Sequence, residues 1–255
     1  MGNLFNLNDA VLAKYELEKF ISKNKIGFNY KYHTHDSALK HMYILSRIES
    51  FLQNKNKIIN VLDIGCGNGD ALRMVNKVYG AKSIGFDPIL GNRRIRISNL
   101  RKRLLRNNPK LLNSTHEAFL QNYKGKKFDL IIDLCAVTHF DTTESKSLNL
   151  GWKWISENLE QLLVKNGKFI SATDVAIMEG NNEFFRAESI ISFLLNYGAI
   201  SNISEIHSLN GSKLIESAKI SIDKQPFYRI GKTKNSKTGS INEIVLGVLG
   251  LEVSV

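Results

Sequence analysis

Cysteine is nearly absent: only Cys66 and Cys135 occur in 255 residues, each inside an apolar stretch and without the paired spacing of a zinc or redox site. Both are expected to be reduced packing residues. No apolar run approaches the ~18 residues that a membrane span requires. The first stretch, with Asp9, Lys14, Glu16, Glu18 and Lys19, is too charged for a signal peptide, so a cytoplasmic protein is expected. No internal repeat and no low-complexity block is visible. Hydrophobic residues make up 43%, charged residues 23% and aromatics 9%, an ordinary globular balance that excludes disorder, collagen-like and coiled-coil classes. The length suits one well-buried α/β core with appendages.

What the chain has in excess is positive charge, a formal +11. Such an excess is compatible with nucleic acid, with an anionic small molecule, or with the Lys-, Asn- and Ile-rich usage of an AT-biased genome. The densest run is Arg93, Arg94, Arg96, Arg101, Lys102, Arg103 and Arg106. It lacks the interleaved aromatics on which single-stranded bases stack, and charge runs commonly face water. Nucleic acid is therefore not the expected partner.

Hydrophobic period predicts helices over residues 8–23 and 36–53, joined by a link that contains His33 and His35. A buried strand over 58–64 then runs into Gly65-Cys66-Gly67-Asn68-Gly69 and a helix carrying Ala71, Leu72, Val75 and Val78. The alternation continues with a strand at 83–86, a basic helix at 95–105, a brief strand at 111–112, a short helix at 115–121 and a continuous apolar strand at 128–135. A helix over 144–163, a strand at 169–173 and a helix at 184–197 follow, and 241–253 supplies a final edge or hairpin strand. Repeated βα units with strands apolar on both sides mean a doubly wound, mostly parallel α/β sheet. The expected division is an N-terminal helical appendage or lid over 1–55 and a core over 56–255, with an insertion near 207–240.

In open α/β sheets, ligands bind beyond the carboxyl ends of the strands where strand order reverses. The turn after the first buried strand belongs there. Its alternate glycines allow close backbone approach, and the helix that follows presents free N–H groups. Asp87 ends the second strand 24 residues beyond Asp63, near the ~20-residue spacing at which an acid meets ribose hydroxyls. An adenosine-containing cofactor is implied. A dinucleotide fingerprint would have its third glycine at position 70, which is Asp70.

The run Val61-Leu62-Asp63-Ile64-Gly65-Cys66-Gly67-Asn68-Gly69, with Asp87 after it, resembles the first motif of class I S-adenosylmethionine-dependent methyltransferases. The resemblance covers about residues 37–200 and implies a seven-stranded Rossmann-like sheet. It implies S-adenosylmethionine as cofactor and S-adenosylhomocysteine as product. By the same resemblance, Asp63 orders the turn and the cofactor's amino group, the backbone of Gly65, Cys66, Gly67, Asn68 and Gly69 faces the methionine part, and Asp87, followed by Pro88, holds the ribose. Residues 128–135 resemble the fourth strand, whose end, with Asp133, Leu134 and Cys135, passes beneath the transferred methyl. Residues 163–170 resemble the turn into the fifth, with Asn166 in place of a usual proline. Adenine contacts are implied near Thr115 and His116, with Thr115 standing where the family has an acid.

Methyl transfer is an in-line displacement in which positioning supplies much of the rate. A base is needed only when the acceptor is a hydroxyl or a protonated amine. His139 follows the fourth strand of the resemblance and is either that base or a structural histidine bonded to backbone. His35 lies where the lid would fold over the cofactor, and Asp174 opens on the acceptor side at the end of the fifth strand. Pairing of Asp174 with Asp141 around a metal is the weaker reading, and no metal site is assigned. The expected function is methyl transfer to an oxygen of a small, anionic acceptor, a sugar or a phosphorylated or nucleotide-linked precursor, in capsule or lipopolysaccharide synthesis. An RNA methyltransferase and a cofactor-binding protein without turnover are the alternatives.

Overall fold

In a computed structural model of the protein, the described residues are 2–4, 7–26, 35–53, 58–88, 108–140, 150–176, 221–222, 228–234 and 241–255. His33, Asp141, the basic run and the helix expected at 184–197 lie outside them. The strands are β1 (Gly2–Leu4), β2 (Asn60–Ile64), β3 (Lys82–Phe86), β4 (Lys110–Leu112), β5 (Phe128–Leu134), β6 (Leu163–Ala176), β7 (Ser221–Ile222), β8 (Tyr228–Lys234) and β9 (Ile241–Ser254). The helices are α1 (Leu7–Lys23), α2 (His35–Leu52), α3 (Asp70–Tyr79), α4 (His116–Asn122) and α5 (Leu150–Leu162), with a single 3₁₀ turn at Val137–His139 between β5 and α5.

The strands form one sheet in the order β4-β3-β2-β5-β6-β9-β1-β7, with β8 also paired to β9. β2 to β6 are mutually parallel, and β9 runs antiparallel to β6. This is a doubly wound, mostly parallel α/β sheet, as expected. The chain steps outward from β2 through β3 to β4, then returns to β5 on the other side of β2, so strand order reverses between β2 and β5. The sheet is wider than seven strands because β1 and β8 both lie antiparallel along the edge of β9 that faces away from β6. β9 is consequently a hairpin strand with β8 and not an edge. β1 and β7 span three and two residues, too few to leave a periodic signal.

Alternation along the strands explains the two layers. Leu62, Ile64, Ile131 and Phe169 point to one face and pack with Trp152, Trp154, Ile155 and Leu159 of α5. Val61, Leu130, Ile132, Ile170 and Ala172 point to the other, against α1, α2 and α3. Both faces are covered by helices, so the central strands carry apolar residues on both sides. The N-terminal helices are part of this second layer: Leu17 and Ile21 of α1 and Ile44 and Ile48 of α2 are buried in the same cluster as the sheet.

β6 begins six residues earlier than the expected 169, because Leu163 already pairs with Phe128 across a register irregularity. Within that stretch Asn166 adopts φ 62°, and its N–H donates to Val255 O at 2.7 Å. Proline is locked near φ −65° and has no N–H, whereas asparagine tolerates the left-handed region. The departure from the family's proline at this position therefore matches the local backbone.

Candidate active site

The end of β2 is built around a buried acid and an open turn. Gly65 has φ 63°, and a Cβ there would lie 2.1 Å from Cβ of Ala136, so the 65–69 turn and the segment after β5 touch. Gly67 has φ 51° and, in contrast, among the described residues beyond its chain neighbours no atom within 4 Å of where a Cβ would be. The loop is thus closed on its β5 side and open at its centre. Gly69 caps the start of α3. Cys66 donates its N–H to Phe86 O at 3.1 Å, and its side chain is buried against Gly85. Burial, followed by the charges of Asp63 and Asp87, pushes its thiol pKa up. Cys66 is thus a packing residue whose backbone alone faces the turn's open side. Asn68 and Pro88 are exposed.

Two carboxylates flank this opening. Asp87 accepts a hydrogen bond from Gly67 N–H at 2.9 Å, which ties the end of β3 to the glycine turn. Asp63 is 1% exposed, and its Oδ1 has no hydrogen-bond partner among the described residues. Burial, then the charges of Asp133 and Asp87, raise its pKa well above the carboxylate range. A buried acceptor in this state is expensive to leave unmade, and a cationic donor would satisfy it.

Asp133 has a different task. Its Oδ1 accepts from the N–H groups of Ala136 (2.7 Å) and Val137 (3.1 Å), and its Oδ2 accepts from Ser171 Oγ at 2.6 Å. Burial raises its pKa, while these three bonds and Lys40 oppose the rise. The acid therefore shapes the turn that follows β5, and Leu134 packs beside it against the α2 and α3 layer. α5 meets this turn closely, since a Cβ on Gly151 would be 1.9 Å from Val137 O.

Cys135 leaves β5 with φ 63° and brings its sulfur to the carboxyl ends of β5 and β6. The thiol donates to Asp174 Oδ2 at 3.3 Å, and the sulfur accepts from Asp174 N–H at 3.4 Å. His139 Nε2 is 3.8 Å from the same sulfur, at the end of the 3₁₀ turn, and the His139 residue is exposed. Asp174 is 2% exposed, and its Oδ1 pairs with Lys40 Nζ at 2.8 Å. Asp36, 3.9 Å from that Nζ, completes the group. Attraction to Cys135, Asp174 and Asp36 outweighs desolvation, the largest single effect, and raises the Lys40 pKa.

The site thus unites Asp63, the glycine turn and Asp87 with Cys135, His139 and Asp174, because β2 and β5 are neighbours with Ile64 opposite Asp133. His35 is exposed at the first residue of α2, on the helix end that Lys40 ties to Asp174. Thr115 caps α4 through Oγ1, which accepts from Ala118 N–H at 3.3 Å. His116 stacks on Phe140 (4.3 Å between centroids), meets Trp154 edge-on and contacts Glu117 at 2.8 Å. Sequence reasoning missed Lys40 and Ser171. The one hint of Lys40 was a cation on the 40-44-48 stripe with Ile44 and Ile48, where an exposed lysine would not fall.

The unsatisfied Asp63 oxygen, the open space at Gly67 and the Asp87 carboxylate together fit an adenosine cofactor bearing an ammonium group. Residues 55–230 match the methyltransferase domain family, and the chain belongs to that family as a class I S-adenosylmethionine-dependent methyltransferase. No curated protein matches it. Among solved structures it is similar to the magnesium protoporphyrin IX methyltransferase of Synechocystis PCC 6803 with bound S-adenosylhomocysteine (16% identity, 93% of this chain and 98% of that one, TM-score 0.39). It is similar too to a methyltransferase from Pyrococcus furiosus (17%, 93% and 96%, 0.39). A third is the ribosomal protein L11 methylase of Lactobacillus delbrueckii subsp. bulgaricus (13%, 84% and 79%, 0.40). Among the described residues no helix is long and apolar enough to cross a membrane, and no group of three or more metal-ligating side chains occurs.

Proposed function

We propose that this methyltransferase acts in the cytoplasm on an oxygen of a small acceptor, with His139 as general base. The observation that carries the reading is the placement of His139: exposed, at the carboxyl end of β5, next to the strand whose turn forms the cofactor cradle. Bound S-adenosylmethionine supplies an electrophilic methyl on a sulfonium, with a neutral thioether as leaving group. Asp63 would hold its amino group and Asp87 its ribose, with the 65–69 backbone against the methionine part and the Thr115 and His116 region beside the adenine. A hydroxyl must lose its proton as the carbon–oxygen bond forms, and an imidazole is matched to that transfer near neutrality. Asp174 is the poorer base, because both its oxygens are already engaged by Lys40 and Cys135. α2 begins at His35, five residues before the Lys40 that pairs with Asp174.

The acceptor class is inferred from charge. The formal +11 favours an anionic molecule, and the basic run at 93–106 lacks the interleaved aromatics on which single-stranded bases stack. A sugar, or a phosphorylated or nucleotide-linked precursor of a capsule or lipopolysaccharide, meets both conditions. The test is transfer of labelled methyl from S-adenosylmethionine to a panel of nucleotide sugars and sugar phosphates, with bulk RNA in parallel over a salt series. Labelling of a sugar hydroxyl supports the proposal. Labelled RNA, with binding that falls steeply as salt rises, would replace it with an RNA methyltransferase.

A further inference from the structure

We propose that the amino-end edge of the parallel sheet is a docking surface for an anionic lipid bilayer, which leaves the candidate active site at the opposite end, facing solution.

β2 to β6 are mutually parallel, so their amino ends lie together, away from the end that carries Asp63, Asp87 and Asp174. Five lysines are exposed there: Lys82 at the start of β3, Lys110 at the start of β4, Lys124 and Lys126 just before β5, and Lys165 in the first residues of β6. None of the five pairs with an acid among the described residues. Lysines with an evident local task are a separate group. Lys77 lies in the last turn of α3, where a cation suits the helix end, Lys127 donates to Glu160 O at 2.8 Å, and Lys168 pairs with Glu252. Glu49 and Glu160, in the last turns of α2 and α5, are the exposed acids at this end among the described residues. The surface is net positive.

An apolar side chain sits among these cations. Ile58, two residues before β2, is 62% exposed. Lys82 donates its N–H to Ile59 O at 2.9 Å, and the register that sets Val61 opposite Leu130 brings Ile58 level with Lys127. Ile58 therefore lies between Lys82 on one side and residues 124–127 on the other.

Shape and chemistry choose the partner. Five strands make a row of ends about 20 Å wide, a broad edge and not the groove that tracks a single nucleic-acid strand. The tyrosines described at this end are already packed: Tyr123 stacks on Phe119 and Phe128 and donates its hydroxyl to Lys126 O, and Tyr79 lies against the α2 and α3 layer. Neither offers a free face to a base. A bilayer uses both features present, because ammonium groups meet headgroup phosphates while the isoleucine enters the acyl boundary. Each lysine brought close to an anionic membrane contributes roughly fivefold in affinity, so several together give measurable, reversible binding.

The experiment is sedimentation of the protein with vesicles of phosphatidylcholine alone and of phosphatidylcholine with one-third phosphatidylglycerol, at low and high salt. Binding is expected to the anionic vesicles only and should fall as salt rises. The triple variant Lys82→Glu, Lys124→Glu, Lys126→Glu should bind at least about 100-fold more weakly, and Ile58→Ser about tenfold more weakly. Both should keep the wild-type Tm and S-adenosylhomocysteine affinity, because the changed side chains are exposed and stand at the end away from the glycine turn. Calorimetry on the same samples thus separates a lost surface from a lost fold. No binding of the wild type to anionic vesicles, equal binding to neutral ones, or binding unmoved in the triple variant would overturn the proposal. RNA bound more tightly than the vesicles, lost in the triple variant and kept in Ile58→Ser, would overturn it in favour of a nucleic-acid surface.

Discussion

Replacing Asp63 by Asn is expected to stabilise the protein without cofactor and to weaken cofactor binding. The two effects have one origin. Asp63 is 1% exposed, its Oδ1 has no hydrogen-bond partner among the described residues, and Asp133 and Asp87 add like charge nearby. A buried polar group left unmade costs about 1–3 kcal/mol, and more when charged. An amide of the same shape removes the charge, so a gain of about 1 kcal/mol is a cautious expectation, equivalent to roughly 2–4 °C in Tm for a domain of this size. The sign of the pH dependence follows from the raised pKa. The folded state holds a proton that the unfolded chain releases above the ordinary value of 3.8, so wild-type stability falls as pH rises from there toward the folded pKa. The advantage of Asp63→Asn should therefore be small near pH 4 and grow toward neutrality. With cofactor the order reverses: losing a charge-assisted bond to the ammonium, worth about 1.5–3 kcal/mol, lowers affinity by about 10- to 100-fold. Thermal scans from pH 4 to 8 with and without S-adenosylhomocysteine read both effects. A variant less stable than wild type at neutral pH without cofactor, or one with unchanged affinity, refutes the reasoning.

Asp87→Ala should lower S-adenosylmethionine affinity at least about tenfold in calorimetry, because it would remove the bonds proposed to the ribose; it also removes the acceptor of Gly67 N–H. Two glycine variants should separate binding from folding. Gly67→Ala places a methyl in the open cradle at φ 51° and should chiefly weaken cofactor binding, whereas Gly65→Ala drives a methyl to 2.1 Å from Ala136 Cβ and should depress the Tm itself. His139→Gln should reduce turnover by about 10²–10⁴-fold with cofactor affinity near wild type; a structural histidine would instead lower Tm and affect activity only through the folded fraction.

The parallel core was legible because its strands carry long apolar runs separated by turn residues. Residues 128–134 and the turn beginning at Gly65 are unambiguous in this sense; the observed bounds of β2, β3 and β5 lie within two residues of those expected, and α3 carries Ala71, Leu72, Val75 and Val78. What could not be read was set by contacts between distant segments. Short β1 exists only because β9 offers it an edge, β7 pairs in turn with β1, and the early start of β6 depends on the pairing of Leu163 with Phe128. The same holds in the site. Motif spacing located Asp63 and Asp87, but it could not tell that Asp133 spends both oxygens on the 135–137 turn and Ser171. Nor could it tell that Lys40 reaches across from α2 to engage Asp174. Side-chain partners more than a hundred residues apart leave no local pattern.

The central claim is that the 65–69 turn holds the methyl donor and points its sulfur at the end of β5. A crystal structure of the full-length protein with S-adenosylhomocysteine tests it most directly. The claim predicts the ribose hydroxyls on Asp87, the amino group within hydrogen-bond distance of Asp63 Oδ1, and the sulfur directed toward the gap beside Cys135 and His139. Adenosine density elsewhere on the sheet, or a sulfur facing away from the end of β5, would contradict it.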